Sequence, residues 1–259
     1  MASYPCFMLG QRESGACKQS ITNPQQIASD APTTRTYLLG LPPTDPLPRL
    51  LIFMTKRDLI RWFIKEVHWA TPRNVAYFME GRGGSDRSRV YSSELSEMQT
   101  VKDRTLRLKR IRNQDGHFAY TMLSKTLPTF LFNHDVCVRN IIGKFLHDRG
   151  MQEVSFEKPA DASIRQYRFE LDNGHMSGIQ LEEKLVKYYS HLNVQLIFIM
   201  RHRECPHLEA ERLRKVFQIS SKVFPHQPNK VLGACYTSYL EDGTVFNRKG
   251  QAKLKPFNH

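Results

Sequence analysis

No apolar run in this chain approaches the roughly 18 residues needed to cross a bilayer. The longest run, at 194–200, has the length of a buried strand. A membrane-spanning protein is therefore not expected. The start of the chain has no basic segment leading into a long apolar stretch, so no secretory signal is expected either. Cysteine is scarce. Cys6, Cys17, Cys137, Cys205 and Cys235 are odd in number and irregular in spacing. No two have the C-x-x-C separation of a zinc site, which points to reduced thiols in a cytoplasmic protein. Acid is in short supply, with 25 Asp and Glu against 38 Lys and Arg and a net charge of +13. Such a surplus favours a polyanionic partner, nucleic acid ahead of an anionic membrane surface.

The 259 residues are enough for one large core or two modest ones. Residues 1–54 are rich in Ser, Thr, Pro, Gln and Asn, and prolines at 42, 43, 46 and 48 exclude regular structure there. This stretch reads as a flexible arm. Order is expected from Thr55, an N-cap followed by an apolar pattern at Leu59, Trp62, Phe63 and Val67. Thr71-Pro72 opens a second helix with Val75, Ala76 and Phe78. A third is expected over 86–98, burying Val90, Leu95 and Met98. Residues 106–112 alternate with a period of two, 113–116 supply a turn, and 117–123 return as a second strand. Three helices and a hairpin is the winged-helix order, in which the third helix enters the major groove and the hairpin forms the wing. Trp62 and Trp69 are expected in core and hinge packing.

Between Gly81 and Arg112 nine Lys or Arg face four acids. Arg87, Arg89, Lys102, Arg104, Arg107, Lys109, Arg110 and Arg112 fall on the elements that touch double-stranded DNA in that fold. The bland reading is the solvated face of a structural hairpin.

Beyond a junction near 126–133 the rhythm changes. A helix is expected at 134–149, strands at 154–156, 162–164 and 167–172, and a helix at 179–189. A strand at 194–200, a helix at 209–217 and a strand at 231–239 follow, with a turn through Asp242-Gly243. The first six of these elements match the core of a restriction-endonuclease-like fold. The expected architecture is mixed α/β, with an arm at 1–54, a winged-helix domain at 55–127 and a restriction-endonuclease-like domain at 128–259.

Residues 151–200 carry seven acids and five bases, a net negative stretch in a basic chain. Carboxylates repel phosphate, and a bound Mg²⁺ would offset that repulsion while activating a nucleophile. Endonucleases of this fold place an Asp before one strand and Glu-x-Lys on the next. Asp161 and Glu170 stand where the metal ligands would be, and Glu170 and Asp172 share a strand face. Asp172 occupies the position of the motif's Lys, and Lys184 or Lys187 on the next helix could supply that charge. The bland alternative makes Glu170 and Asp172 solvent-facing and the lysines ordinary helix charges.

Phe132-Asn133-His134-Asp135-Val136-Cys137-Val138, Lys158-Pro159-Ala160-Asp161-Ala162, Phe169-Glu170-Leu171-Asp172-Asn173-Gly174 and Lys184-Leu185-Val186-Lys187-Tyr188-Tyr189 together resemble the replication-relaxation family. These are proteins of plasmids and mobile elements associated with replication, relaxation and mobilisation. The resemblance spans about residues 55–200. It implies an N-terminal winged helix, this C-terminal pattern, DNA as partner and relaxase or replication proteins as neighbours. Ala160 stands between Pro159 and Asp161, where the family's usual form has none.

His202, Cys205 and His207 lack a second half at ligand spacing. His134-Asp135 reads as a helix cap. Gly81-Arg82-Gly83-Gly84 is too short for a phosphate loop, and no Gly-x-Ser-x-Gly is present. Tyr188-Tyr189-Ser190-His191 lacks the paired histidines of a relaxase. Three functions remain open: a non-catalytic DNA-binding accessory factor, a Mg²⁺-dependent nickase or endonuclease, and a protein-interaction module.

Overall fold

The computed structural model describes residues 54–112, 118–125, 132–188, 193–202 and 205–254. The arm up to residue 53, the 113–116 turn, most of the 126–133 junction and Tyr189-Ser190-His191 lie outside the described residues. Within them the chain is mixed α/β, with seven helices and two sheets.

Helix α1 (Lys56–Glu66) starts at Thr55 in a capping box, in which the Thr55 hydroxyl accepts from Asp58 N and the Asp58 carboxylate accepts from Thr55 N. Helix α2 (Pro72–Glu80) repeats the device with Thr71 and Asn74, has Pro72 at its first turn, and closes on Gly81 at φ 67°. Helix α3 (Ser85–Glu97) then leads to an antiparallel hairpin, β1 (Leu108–Arg112) with β2 (Phe118–Met122). Val90 is 51% exposed, contrary to expectation; Tyr91 is the buried residue of that turn, together with Leu95 and Met98. The apolar stripe therefore runs through 91, 95 and 98, one residue round the helix from Val90.

The rest is a six-stranded sheet in the order β3-β4-β5-β6-β7-β8. Its strands are β3 (Ala162–Ile164), β4 (Tyr167–Asp172), β5 (Gln195–Met200), β6 (Val231–Cys235), β7 (Val245–Asn247) and β8 (Ala252–Leu254). β4, β5 and β6 are parallel, joined through α5 (Gly178–Lys187) and α6 (Pro206–Val223); the remaining pairs are antiparallel. The apolar run of β5 is buried because it is a central parallel strand covered on both faces. Phe169, Leu171, Ile197 and Ile199 pack with α4 (Asn133–Arg149). The alternate residues Leu196, Phe198 and Met200 pack with Leu181, Leu185 and Val216 of α5 and α6.

Helix α4 is buried over most of its circumference because α2 lies against it and the sheet packs on another side. The approach to α2 is close: a Cβ on Gly143 would stand 2.9 Å from the Asn74 carbonyl oxygen. The Asn74 amide donates to Asn140 Oδ1 at 2.7 Å, and the Asn140 amide to the Tyr236 hydroxyl at 2.9 Å. One apolar cluster runs from Leu59 through Ile142 to Leu254. The sections 55–127 and 128–259 therefore share a core.

The strand expected at 154–156 is reduced to one bridge, Ser155 to Ser163. The one expected at 231–239 ends at Cys235, where α7 (Tyr236–Asp242) begins. Its buried residues Tyr236, Tyr239 and Leu240 have helical spacing, which the β-rich composition conceals. Gly243, at φ 69°, caps α7 rather than turning a hairpin. Helix α6 extends well beyond the expected 209–217.

Candidate functional site

Strand β4 alternates, so Phe169 and Leu171 enter the α4 side while Glu170 and Asp172 enter the side of α5 and α6. Both carboxylates are buried, against the solvent-facing alternative, and each meets a cation brought by a helix. Lys184 of α5 pairs with Glu170 Oε2, and the Tyr188 hydroxyl, one turn further along α5, donates to Oε1 at 2.9 Å. Arg212 of α6 donates to Asp172 Oδ2 at 2.6 Å, and Gly174 N to its Oδ1 at 2.8 Å. Of the two lysines the sequence offered, Lys184 stands at Glu170, while Lys187 is exposed. The charge of Asp172 is matched by Arg212.

Asp161 lies immediately before β3. Its Oδ2 accepts from Leu171 N at 2.8 Å and its Oδ1 stands 3.3 Å from His134 Nε2. His134 does not cap α4: the N-cap is Phe132, without a side-chain cap bond. Its Nδ1 instead lies 3.1 Å from the Asn173 amide nitrogen, and the buried Asn173 Oδ1 has no hydrogen-bond partner among the described residues.

These neighbours set the protonation of the cluster. Burial pushes Glu170 up to about 7; the Asp161 charge adds to this, and Lys184 and Tyr188 oppose it. Burial also works against ionised Asp161, yet the bonds from His134 and Leu171 N hold it below the usual carboxylate range. Asp161 in turn raises the His134 imidazole above its ordinary value.

A resident Mg²⁺ does not fit this arrangement. Glu170 shares its two oxygens between an ammonium and a phenol, and Asp161 shares its two between a backbone amide and an imidazole. Among the described residues no group of three or more His, Cys, Asp or Glu side chains is disposed to hold a metal ion.

Asp161 and His134 also form part of the wall of a cleft of about 330 Å³ at the N-terminal end of α4. Its other walls include His68, Lys125, Arg139, Phe156 and Lys158. Sequence reasoning missed this group because its members are scattered and carry no spacing signal. Tyr188 was nearer to hand, since Lys184 and Tyr188 are four apart on one helix and share a face.

The second candidate surface is α3 with the hairpin. Arg87, Arg89, Lys102, Arg104, Lys109, Arg110 and Arg112 are exposed. Arg107 is half-buried and donates to the Val101 and Lys102 carbonyls, so it shapes the turn ahead of β1. Arg87 lies 3.1 Å from Glu80, and Arg110 stacks over Phe118 at 4.4 Å. Glu94 is matched by Lys56 and Arg57, and Glu97 by Arg57.

No helix among the described residues is long and apolar enough to cross a membrane. No family model, curated protein or solved structure matches the chain.

Proposed function

We propose that this is a double-stranded-DNA-binding accessory protein of plasmid or mobile-element replication, relaxation or mobilisation, acting in the cytoplasm beside a relaxase or replication proteins. In this reading residues 55–127 are a winged helix and residues 128–259 a restriction-endonuclease-like domain that does not cut. The observation that carries it is the exposed basic set on α3 and the hairpin, whose nearby acids Glu94 and Glu97 are matched by α1. Charges left facing solvent on a hairpin suit a phosphate backbone. The test is duplex binding by fluorescence anisotropy across a salt series. Replacing Lys109, Arg110 and Arg112 with Ala should weaken binding and lower the log–log salt slope by about one for each phosphate that is no longer neutralised. An affinity and slope identical to wild type would take the hairpin out of the interface and sink the proposal.

A second reading is a Mg²⁺-dependent nickase or endonuclease: Glu170 and Lys184 lie beside Asp161, and a Mg²⁺ there would have to displace the bonds that these residues now make. Nicking of supercoiled plasmid that needs Mg²⁺, stops with EDTA and disappears in Glu170→Ala would promote it above the first. The expected result is binding without nicking.

A further inference from the structure

Arg139 ties α4 to the 67–70 segment and also reaches the wall of a cleft. It lies inside α4, 6% exposed, with its guanidinium 3.8 Å from the Trp69 ring centre and 4.7 Å from that of Phe156. Its Nε donates to the Val67 and Trp69 carbonyls, both at 3.0 Å, and one terminal nitrogen donates to the Asp135 carbonyl at 3.1 Å. The other terminal nitrogen has no partner among the described residues, and no carboxylate among them lies within ion-pair distance of this buried cation. Burial lowers its pKa to about 9, and the charge of Asp135 in the same wall opposes that shift only in part.

Arg139 lines the cleft described above, and the other groups there fit an anion. Lys125 and Lys158 are exposed beside it. His68 is held at φ 66°, with its carbonyl accepting from Thr121 Oγ1 at 2.7 Å and its ring 5.5 Å from Phe156. A left-handed non-glycine residue is a strained position that the surroundings must maintain. Of the two acids in the wall, Asp161 is already engaged by His134 and Leu171 N, and Asp135 attracts Arg139 without an ion pair among the described residues, against the three cations Arg139, Lys125 and Lys158. The volume exceeds what a bare anion needs and lies at the lower end of small-molecule sites, which run from about 300 Å³.

We propose that this cleft binds the phosphate of a nucleotide, with Arg139, Lys125 and Lys158 holding the anion. A guanidinium pre-oriented between two rings presents its free N–H groups in the fork that phosphate accepts. A bound phosphate supplies the direct ion pair that Arg139 does not make among the described residues. The nucleotide has two sources, a free mononucleotide or the 5′ end of a strand. The site shares phosphate chemistry with the DNA-binding reading but does not use the hairpin.

The test measures binding of thymidine 5′-monophosphate and of thymidine by calorimetry. It also measures single-stranded hexathymidylate with and without a 5′-phosphate, by anisotropy. The phosphate should improve binding at least about tenfold in one of the two pairs, the size of a charge-assisted hydrogen bond. Lys125→Ala and Lys158→Ala, both on exposed side chains, should each remove much of that advantage without unfolding the protein. Arg139→Lys, checked for a native melting transition, should do the same. An advantage confined to the mononucleotide pair assigns a free nucleotide, and one confined to the oligonucleotide pair assigns a strand end. No phosphate advantage in either pair, or one that survives all three substitutions, overturns the proposal. The hairpin variant lacking Lys109, Arg110 and Arg112 separates the two ideas: it should retain nucleotide binding whether or not it still binds duplex.

Discussion

Strand β4 and the β1–β2 hairpin both carry charged residues and treat them in opposite ways. On β4 both acids are taken out of water and answered by a helix, Glu170 by Lys184 and Asp172 by Arg212. On the hairpin Lys109, Arg110 and Arg112 stay in solvent, and Arg110 leans on a ring rather than an acid. The difference teaches that a charge pattern has no meaning apart from the layer it enters. β4 is covered on both faces by helices, so a charge there needs a fixed partner to be tolerated. A hairpin on the outside is free of that demand, and its charges remain available to another molecule.

The sharpest way to break this comparison is to remove one buried partner. Arg212→Ala leaves Asp172 buried and unmatched and should lower stability by about 3–5 kcal/mol. Chemical denaturation measures it, and a drop under about 1 kcal/mol would mean that water reaches Asp172 after all. Next comes the pH dependence of Glu170. Its carboxyl holds a proton up to about 7 in the folded chain, whereas an unfolded Glu loses it near 4.3. Between those values the folded state binds more protons, so stability falls as pH rises, by about 3 kcal/mol for this group alone. Glu170→Gln should flatten the decline between pH 5 and 7 in a series of melting curves; an unaltered slope would place that decline in another group.

A smaller effect is expected at His134 and Asp161. The imidazole is raised and the carboxyl lowered, so their attraction is fullest between the two values. It is lost as pH falls through the carboxyl or rises through the imidazole. His134→Ala should cost about 1 kcal/mol near pH 5.5 and less at pH 9, the half-exposed pair being screened by solvent. A cost that does not vary with pH would assign His134 to packing alone. Smallest in stability is the hairpin itself. Arg112→Ala should change stability by less than about 0.5 kcal/mol yet lower the salt slope of DNA binding, whereas Arg107→Ala should cost about 1 kcal/mol because its two carbonyl bonds go with it. If both variants behaved alike, the distinction between a structural and an available arginine would fail.

Apart from the strand expected at 154–156, the order of helices and strands up to β5 was legible because caps and periodicity agree there: Thr55, Thr71 and Pro72 mark starts, and Gly81 and Gly150 mark ends. The β4 carboxylates and Lys184 were legible because alternation along a strand is a local rule. The Asp161–His134 pair was not, since it joins residues far apart in the chain and a histidine beside an aspartate at a helix start has a simpler reading. Arg139 was hidden for a different reason. An arginine in an apolar helical pattern looks like its solvent face, and only the packing of α2 and the 68–70 segment against α4 puts it inside. At α7, β-branched and aromatic composition outweighed a three–four spacing that only burial reveals.

Asn173 gives the site a means of recording its own protonation. With its amide nitrogen toward His134 Nδ1 and its oxygen unpartnered among the described residues, the side chain suits an imidazole whose hydrogen is on Nε2. A second proton makes Nδ1 a donor, and two donors cannot face each other. A half-turn of the amide would remove that conflict and give the oxygen its hydrogen bond, while moving the amide N–H groups to the position where the oxygen stood unpartnered. The orientation of one neutral side chain thus becomes a two-position register of the charge on its neighbour, written without any movement of the backbone.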